Sequence, residues 1–268
     1  MTAQTRSQIA ELLERHGVAP IRRLGQHFLA DANITRKIVA LAHVGEQSRV
    51  VEVGAGTGTL TRALAEAGAH VVAYEIDGGL RPLLEEVTTG LDVELRFDDV
   101  TEVDFGSDLD GQGWAMVANL PYNVGTPLVM EALRTSHNID RFVVMLQHEV
   151  ARRFVAQPGS RDYGLPSVVA GIYTEASLAF TVPPQVFYPP PRVGSAVVAM
   201  TRKPVPGPAE RAIELARAGF GQRRKMLRRS LTTMLEDPVA SLEAAGIPPT
   251  RRAEDLSPDD YLHLASVA

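Results

Sequence analysis

Val50-Val51-Glu52-Val53-Gly54-Ala55-Gly56-Thr57-Gly58-Thr59-Leu60-Thr61-Arg62-Ala63-Leu64 is the stretch on which the fold turns. A β-branched apolar run enters a turn with glycine at every second position, and a helical pattern follows. The reading is strand, glycine turn, helix N-terminus. Alternate glycines let the backbone turn sharply and approach a ligand, with unpaired helix N–H groups facing it. A dinucleotide fingerprint would want glycine at the sixth position of the motif, where this chain has Thr59, so pyrophosphate cradling is disfavoured.

Working outward, short apolar runs recur at His70 to Glu75 and Trp114 to Asn119, with helical stretches between them. Strands alternating with helices predict a parallel sheet. Arg141 to Gln147, Ser177 to Val182 and Ser195 to Thr201 would complete an open sheet, while the proline-dense stretch Pro183 to Pro191 is expected to be loop. Pro204-Val205-Pro206-Gly207-Pro208 looks like a linker, and only helical patterns come after it. We therefore expect an α/β domain over residues 1–203 and a small α-helical domain over 208–268.

Composition places the chain among folded globular domains, with 45% hydrophobic and 22% charged residues in 268. It has no cysteine, which excludes disulfides and cysteine-ligated metal. The seven histidines show no metal-ligand spacing, so metal-assisted hydrolysis or deamination has no support. No run approaches a membrane span and the polar start lacks a signal-peptide core, so a cytoplasmic protein is expected. Net charge is −5, but the acidic excess lies between Ser48 and Lys203, with 12 basic against 19 acidic residues. The basic residues Arg223, Arg224, Lys225, Arg228 and Arg229 cluster in the last segment, as a nucleic-acid patch or as a solvated helix face.

Candidate site residues fall at strand ends. Glu75, about 20 residues past Gly54, can accept hydrogen bonds from ribose hydroxyls. Asp99, after the expected third strand, can accept from an adenine amino group. Asn119-Leu120-Pro121-Tyr122 ends the fourth strand, at the edge where open α/β sheets bind ligands, and also reads as a plain strand-to-helix turn with Thr126-Pro127 starting the helix. Phe187, in Val186-Phe187-Tyr188-Pro189-Pro190-Pro191, is either a stacking face for a base or a packed loop aromatic.

Gly-x-Gly-x-Gly is the class I methyltransferase pattern, and segments spanning nearly the whole chain resemble the bacterial small-subunit (16S) rRNA adenine dimethyltransferase family. They are Leu24-Gly25-Gln26-His27-Phe28-Leu29, Val51 to Gly54 with Gly56 and Gly58, then Glu75, Asp99 and Asn119 to Asn123. Met145 to Arg153, Phe187 to Val193, Phe220 to Lys225 and Arg252 to Ser257 continue the match. The last two segments separate this family from relatives acting on large-subunit rRNA. Tyr163-Gly164-Leu165-Pro166-Ser167 departs from the family's Tyr-Gly-Arg-Leu-Ser, and Gly194 stands where aspartate is common.

The resemblance implies a class I, Rossmann-like fold with a mostly parallel seven-stranded sheet, and S-adenosyl-L-methionine as cofactor, left as S-adenosyl-L-homocysteine. It implies His27 and Leu29 as further cofactor contacts, although His27 also reads as a loop-packing residue. The implied reaction is dimethylation of two adjacent adenines in the 3′-terminal hairpin of 16S rRNA, by a monomer. An adenine amino nitrogen is a poor nucleophile because its lone pair is delocalised into the ring. Acceptors from the Asn119 side chain and the Leu120 backbone would favour its tetrahedral form, with Pro121 stiffening the turn and Tyr122 and Phe187 stacking the extruded base. The rivals are a large-subunit rRNA enzyme, a small-molecule methyltransferase, and a ribosome-assembly factor in which catalysis is secondary.

Overall fold

The apolar runs pair as parallel strands because each is too continuous to leave one face in water. In the computed structural model, which describes residues 4–121 and 124–268, they are β1 (Arg49–Val53), β2 (His70–Tyr74), β4 (Trp114–Asn119) and β5 (Ile139–Gln147), and the more polar β3 (Val93–Arg96) pairs parallel beside β2. With β6 (Thr174–Val182) and β7 (Ser195–Arg202) they form, among the described residues, a seven-stranded sheet in the order β3-β2-β1-β4-β5-β7-β6. β1 to β5 are mutually parallel where they pair, and β7 runs antiparallel to β5. This is the class I methyltransferase fold that the sequence led us to expect.

Strand order reverses between β1 and β4, whose ends are level through the Val53–Ala118 register. A crevice forms outside the carboxyl ends of strands at such a switch point, because the connections leave it in opposite directions. The glycine turn leaves β1 there, and Asn119 ends β4 there.

β3 is the strand with the weakest sequence signal, since Val93-Glu94-Leu95-Arg96 holds only two apolar residues and lies at the sheet's edge. The stretch Pro183 to Pro191 corrects another expectation. Phe187-Tyr188 pairs antiparallel with Phe28-Leu29, because neither residue is a proline and both can join a ladder.

The chain divides into two compact units, Met1–Ala151 with Ser177–Thr201, and Arg152–Ala176 with Arg202–Ala268. The second therefore takes in residues 152–176, which the sequence reading left with the α/β domain. The reason lies in the helix Leu165–Tyr173, where Ser167 to Ala170, Ile172 and Tyr173 are all buried. A helix apolar on every side needs a surrounding core, and this one packs on the helices Ala209–Gly221 and Pro258–Val267. Tyr163 locks the same unit by donating to the Leu256 carbonyl and meeting Phe220 edge-on. Among the described residues no helix is long and apolar enough to cross a membrane.

Candidate active site

A cavity of about 300 Å³ opens at the switch point, entirely within the first unit. His27, Leu29, Gly54, Gly56, Glu75, Asp99, Asn119, Leu120 and Pro121 all line it, so residues up to about 94 positions apart in sequence meet at one place.

The glycine turn is pinned to β2, since Gly54 and Ala55 both donate to the Tyr74 carbonyl. Gly56 has φ +58°, and a Cβ built there would lie 2.9 Å from the Phe28 ring, so the close approach requires glycine. Gly58 is placed differently. It does not line the cavity, and its hydrogen faces Val87 and Leu84, so its role is to let the helix Thr59–Glu66 pack.

Glu75 accepts from the Gly56 N–H at 2.8 Å and the Asp77 N–H at 3.0 Å. Burial raises its pKa, against which these backbone hydrogen bonds act. Each carboxylate oxygen keeps a lone pair for a ligand hydroxyl. Asp99 sits in a tight turn, accepting from the Thr101 N–H and hydroxyl, and these bonds hold its pKa below the usual range. It therefore stays an acceptor at neutral pH.

At the end of β4, the Asn119 side-chain amide donates to the His27 carbonyl at 3.0 Å. With its NH₂ end held, the Oδ1 of the same amide points away as an acceptor. The Leu120 carbonyl likewise receives no donor among the described residues. Pro121 instead accepts from Val124 and Gly125, which turns the chain into the helix Gly125–Thr135. His27 joins three segments, because its Nδ1 also pairs with the Pro189 carbonyl at 2.7 Å.

Of the two stacking candidates, the structure describes one. Phe187 is 0% exposed and does not line the cavity, because its pairing with Leu29 turns the ring into the core; it offers no open face to a base. Tyr122 lies outside the described residues. The expected RNA contacts lie in the second unit, where Arg223, Arg224, Lys225, Arg228 and Arg229 are exposed on a turn followed by the short helix Leu227–Ser230. Arg223 is tied down by Glu254 at 2.8 Å and the Arg161 carbonyl.

Sequence reasoning missed four contributors. Gln26 receives the Ile21 N–H and donates to Asp77, fastening the N-terminal arm beside the cavity. Gln4 donates to the Thr57 carbonyl and accepts from the Thr59 hydroxyl, clipping the arm to the glycine turn. Ile76 leaves half its surface exposed where it lines the cavity, a signal readable as an apolar residue directly after Glu75. Glu52 is 1% exposed, its Oε2 has no partner among the described residues, and burial pushes its pKa up to about 8.

The cavity therefore fits a nucleoside carrying positive charge. It combines a close-packed glycine turn, carboxyl groups at Glu75 and Asp99, and an apolar ledge at Ile76, which suits S-adenosylmethionine.

Comparison with known proteins gives the same direction. A family model described as ribosomal RNA adenine dimethylase matches residues 21–268. Ribosomal RNA small subunit methyltransferase A of Phenylobacterium zucineum (strain HLK1) is 42% identical over 269 residues, covering 99% of this chain and 94% of that protein. Its namesake from Leifsonia xyli subsp. xyli (strain CTCB07) is 43% identical over 273 residues, covering 97% and 96%. The structure of a dimethyladenosine transferase from Plasmodium falciparum matches with a TM-score of 0.77 at 23% identity, over 89% of this chain and 96% of that one, a likeness of fold. That of the 23S rRNA methyltransferase ErmE matches at 0.68 with 26% identity, over 89% and 98%.

Proposed function

Because the chain belongs to the ribosomal RNA adenine dimethylase family, we propose that it transfers methyl groups from S-adenosylmethionine to the N6 amino groups of two adjacent adenines in the 3′-terminal hairpin of 16S rRNA. It acts as a cytoplasmic monomer during small-subunit maturation, and N6,N6-dimethyladenosine is the product. The small-subunit reading is favoured by relatives of that name at 42 and 43% identity, against 26% for the large-subunit enzyme ErmE.

When bound, the cofactor supplies an electrophilic methyl carbon on a sulfonium. Glu75 and Asp99 would hold its ribose and adenine, with His27, Leu29, Gly54 and Gly56 close around it. The observation that carries the reading is the Asn119 amide held by the His27 carbonyl. It leaves the Asn119 Oδ1 and the Leu120 carbonyl as acceptors for the two N–H bonds of the target amine, which localises the nitrogen lone pair for attack. After the first transfer one N–H remains and one carbonyl is free, so a methylated amine is still accepted. The proton displaced from nitrogen passes to water, and no side chain is needed as base.

Mass spectrometry of nuclease-digested rRNA tests this, after small subunits lacking the modification react with the protein. Dimethyladenosine in the 3′-terminal fragment is expected; product confined to large-subunit rRNA would refute the assignment. Asn119→Ala should lose most turnover, by ~100-fold or more for a lost preorganised acceptor, while S-adenosylmethionine still binds in calorimetry. Near wild-type turnover would sink the proposed geometry.

A further inference from the structure

The first unit carries 13 Lys and Arg against 21 Asp and Glu, the wrong balance for a surface that must approach RNA. Most of these cations are engaged, as Arg15 is with Glu86, Arg62 with Glu66, and Arg141 with the Ala42 carbonyl. Arg22, Arg23 and Arg192 differ: all three are exposed, and none has an ion-pair, hydrogen-bond or ring partner for its guanidinium among the described residues. They come from two distant parts of the chain.

The first part borders the cavity, and the second is hydrogen-bonded to a residue that lines it. Arg22 and Arg23 begin the short 3-10 helix Arg22–Leu24, and Leu24 with the residues up to Leu29 lines the cavity wall. The Ile21–Gln26–Asp77 chain of hydrogen bonds fixes this arm in place. Arg192 lies three residues beyond Pro189, whose carbonyl pairs with His27. Three residues of chain reach at most about 11 Å, so Arg192 stays close to the segment that holds Asn119. Three exposed guanidiniums without a partner among the described residues add nothing to folding through ion pairs or hydrogen bonds. Their forked donors match phosphate oxygens, and neutralising phosphates releases counterions.

We propose that Arg22, Arg23 and Arg192 form an RNA-backbone site on the catalytic unit itself, gripping the phosphodiesters on either side of the target adenine. The inference rests on the function proposed above and deepens it. An extruded base is presented to the Asn119 and Leu120 acceptors only if its own sugar-phosphate is held. Basic residues elsewhere in the chain supply affinity without fixing that nucleotide.

The test is the triple variant Arg22→Gln, Arg23→Gln, Arg192→Gln, with fluorescence anisotropy on a labelled hairpin of the 16S 3′ end across a salt series. We expect at least a tenfold loss of RNA affinity near 0.1 M salt, and a salt slope shallower by about 2, at roughly 0.7 per phosphate contact. Calorimetric affinity for S-adenosylmethionine and the melting temperature should stay at wild type. Should the triple variant melt early, Arg192→Gln alone, in its exposed loop, should still reduce the slope by roughly 0.7. Wild-type affinity and slope in a folded variant would overturn the inference while leaving methyl transfer intact. A wild-type protein that neither binds nor methylates small-subunit RNA would instead overturn the reading of function, and the inference with it.

Discussion

The Glu75 carboxylate holds the backbone of the glycine turn at Gly56 and of the following loop at Asp77, so one side chain shapes the cavity and lines it. Glu75→Ala should weaken S-adenosylmethionine binding by about 10- to 100-fold, since hydrogen bonds to a charged acceptor are worth about 1.5–3 kcal/mol. An unchanged dissociation constant in calorimetry would remove Glu75 from the site. Glu52 makes a different prediction, because its buried carboxyl is pushed from 4.5 to about 8. Between those values the folded chain keeps the Glu52 proton and the unfolded chain loses it, so this group makes stability fall as pH rises. Glu52→Gln should flatten that part of the dependence and raise the ligand-free melting temperature at pH 8. Melts at pH 5, 6.5 and 8 that run parallel to wild type would show that Glu52 is ionised in the fold.

At the scale of elements, the glycine turn works as a joint between β1, the helix Thr59–Glu66 and the N-terminal arm. Gly56→Ala adds a methyl 2.9 Å from the Phe28 ring at a left-handed backbone position. The conformation alone costs about 1–2 kcal/mol, so a melting temperature lower by several degrees is expected, together with weaker cofactor binding. A thermally neutral variant would mean that the arm gives way. The turn was legible in the sequence because it is local, with glycine spacing next to a β-branched run. The arm's attachment was not, since Gln4 meets Thr57 and Gln26 meets Asp77 across 53 and 51 residues of chain.

For the molecule as a whole, charge is divided by unit: 13 basic against 21 acidic residues in the first, 14 against 11 in the second. An acidic chain can therefore still present a basic body to RNA. Arg223 is held by Glu254, which leaves Arg224, Lys225, Arg228 and Arg229 as the cations of that cluster whose side chains have no partner among the described residues. Replacing these four with glutamine should reduce the slope of RNA affinity against salt by about 3, at roughly 0.7 per contact. Cofactor affinity should hold. An unaltered slope would make the cluster a solvated surface, leaving RNA binding to other residues.

Sequence alone determined the fold class, the place of the glycine turn and the strand-end positions of Glu75, Asp99 and Asn119. Period, turn chemistry and spacing are properties of neighbouring residues, and they persist whatever the rest of the chain does. Tertiary structure decided what those residues face. Phe187 reads equally as a stacking ring or a packed aromatic until pairing with Leu29 buries it, and Gly58 reads as a cofactor glycine until Val87 and Leu84 are seen against it. Residues 152–176 read as part of the α/β domain until the apolar helix Leu165–Tyr173 finds its core among the C-terminal helices. In each case the deciding contact joins distant segments, and burial against a distant surface is a property of the packed chain, with no local pattern to carry it.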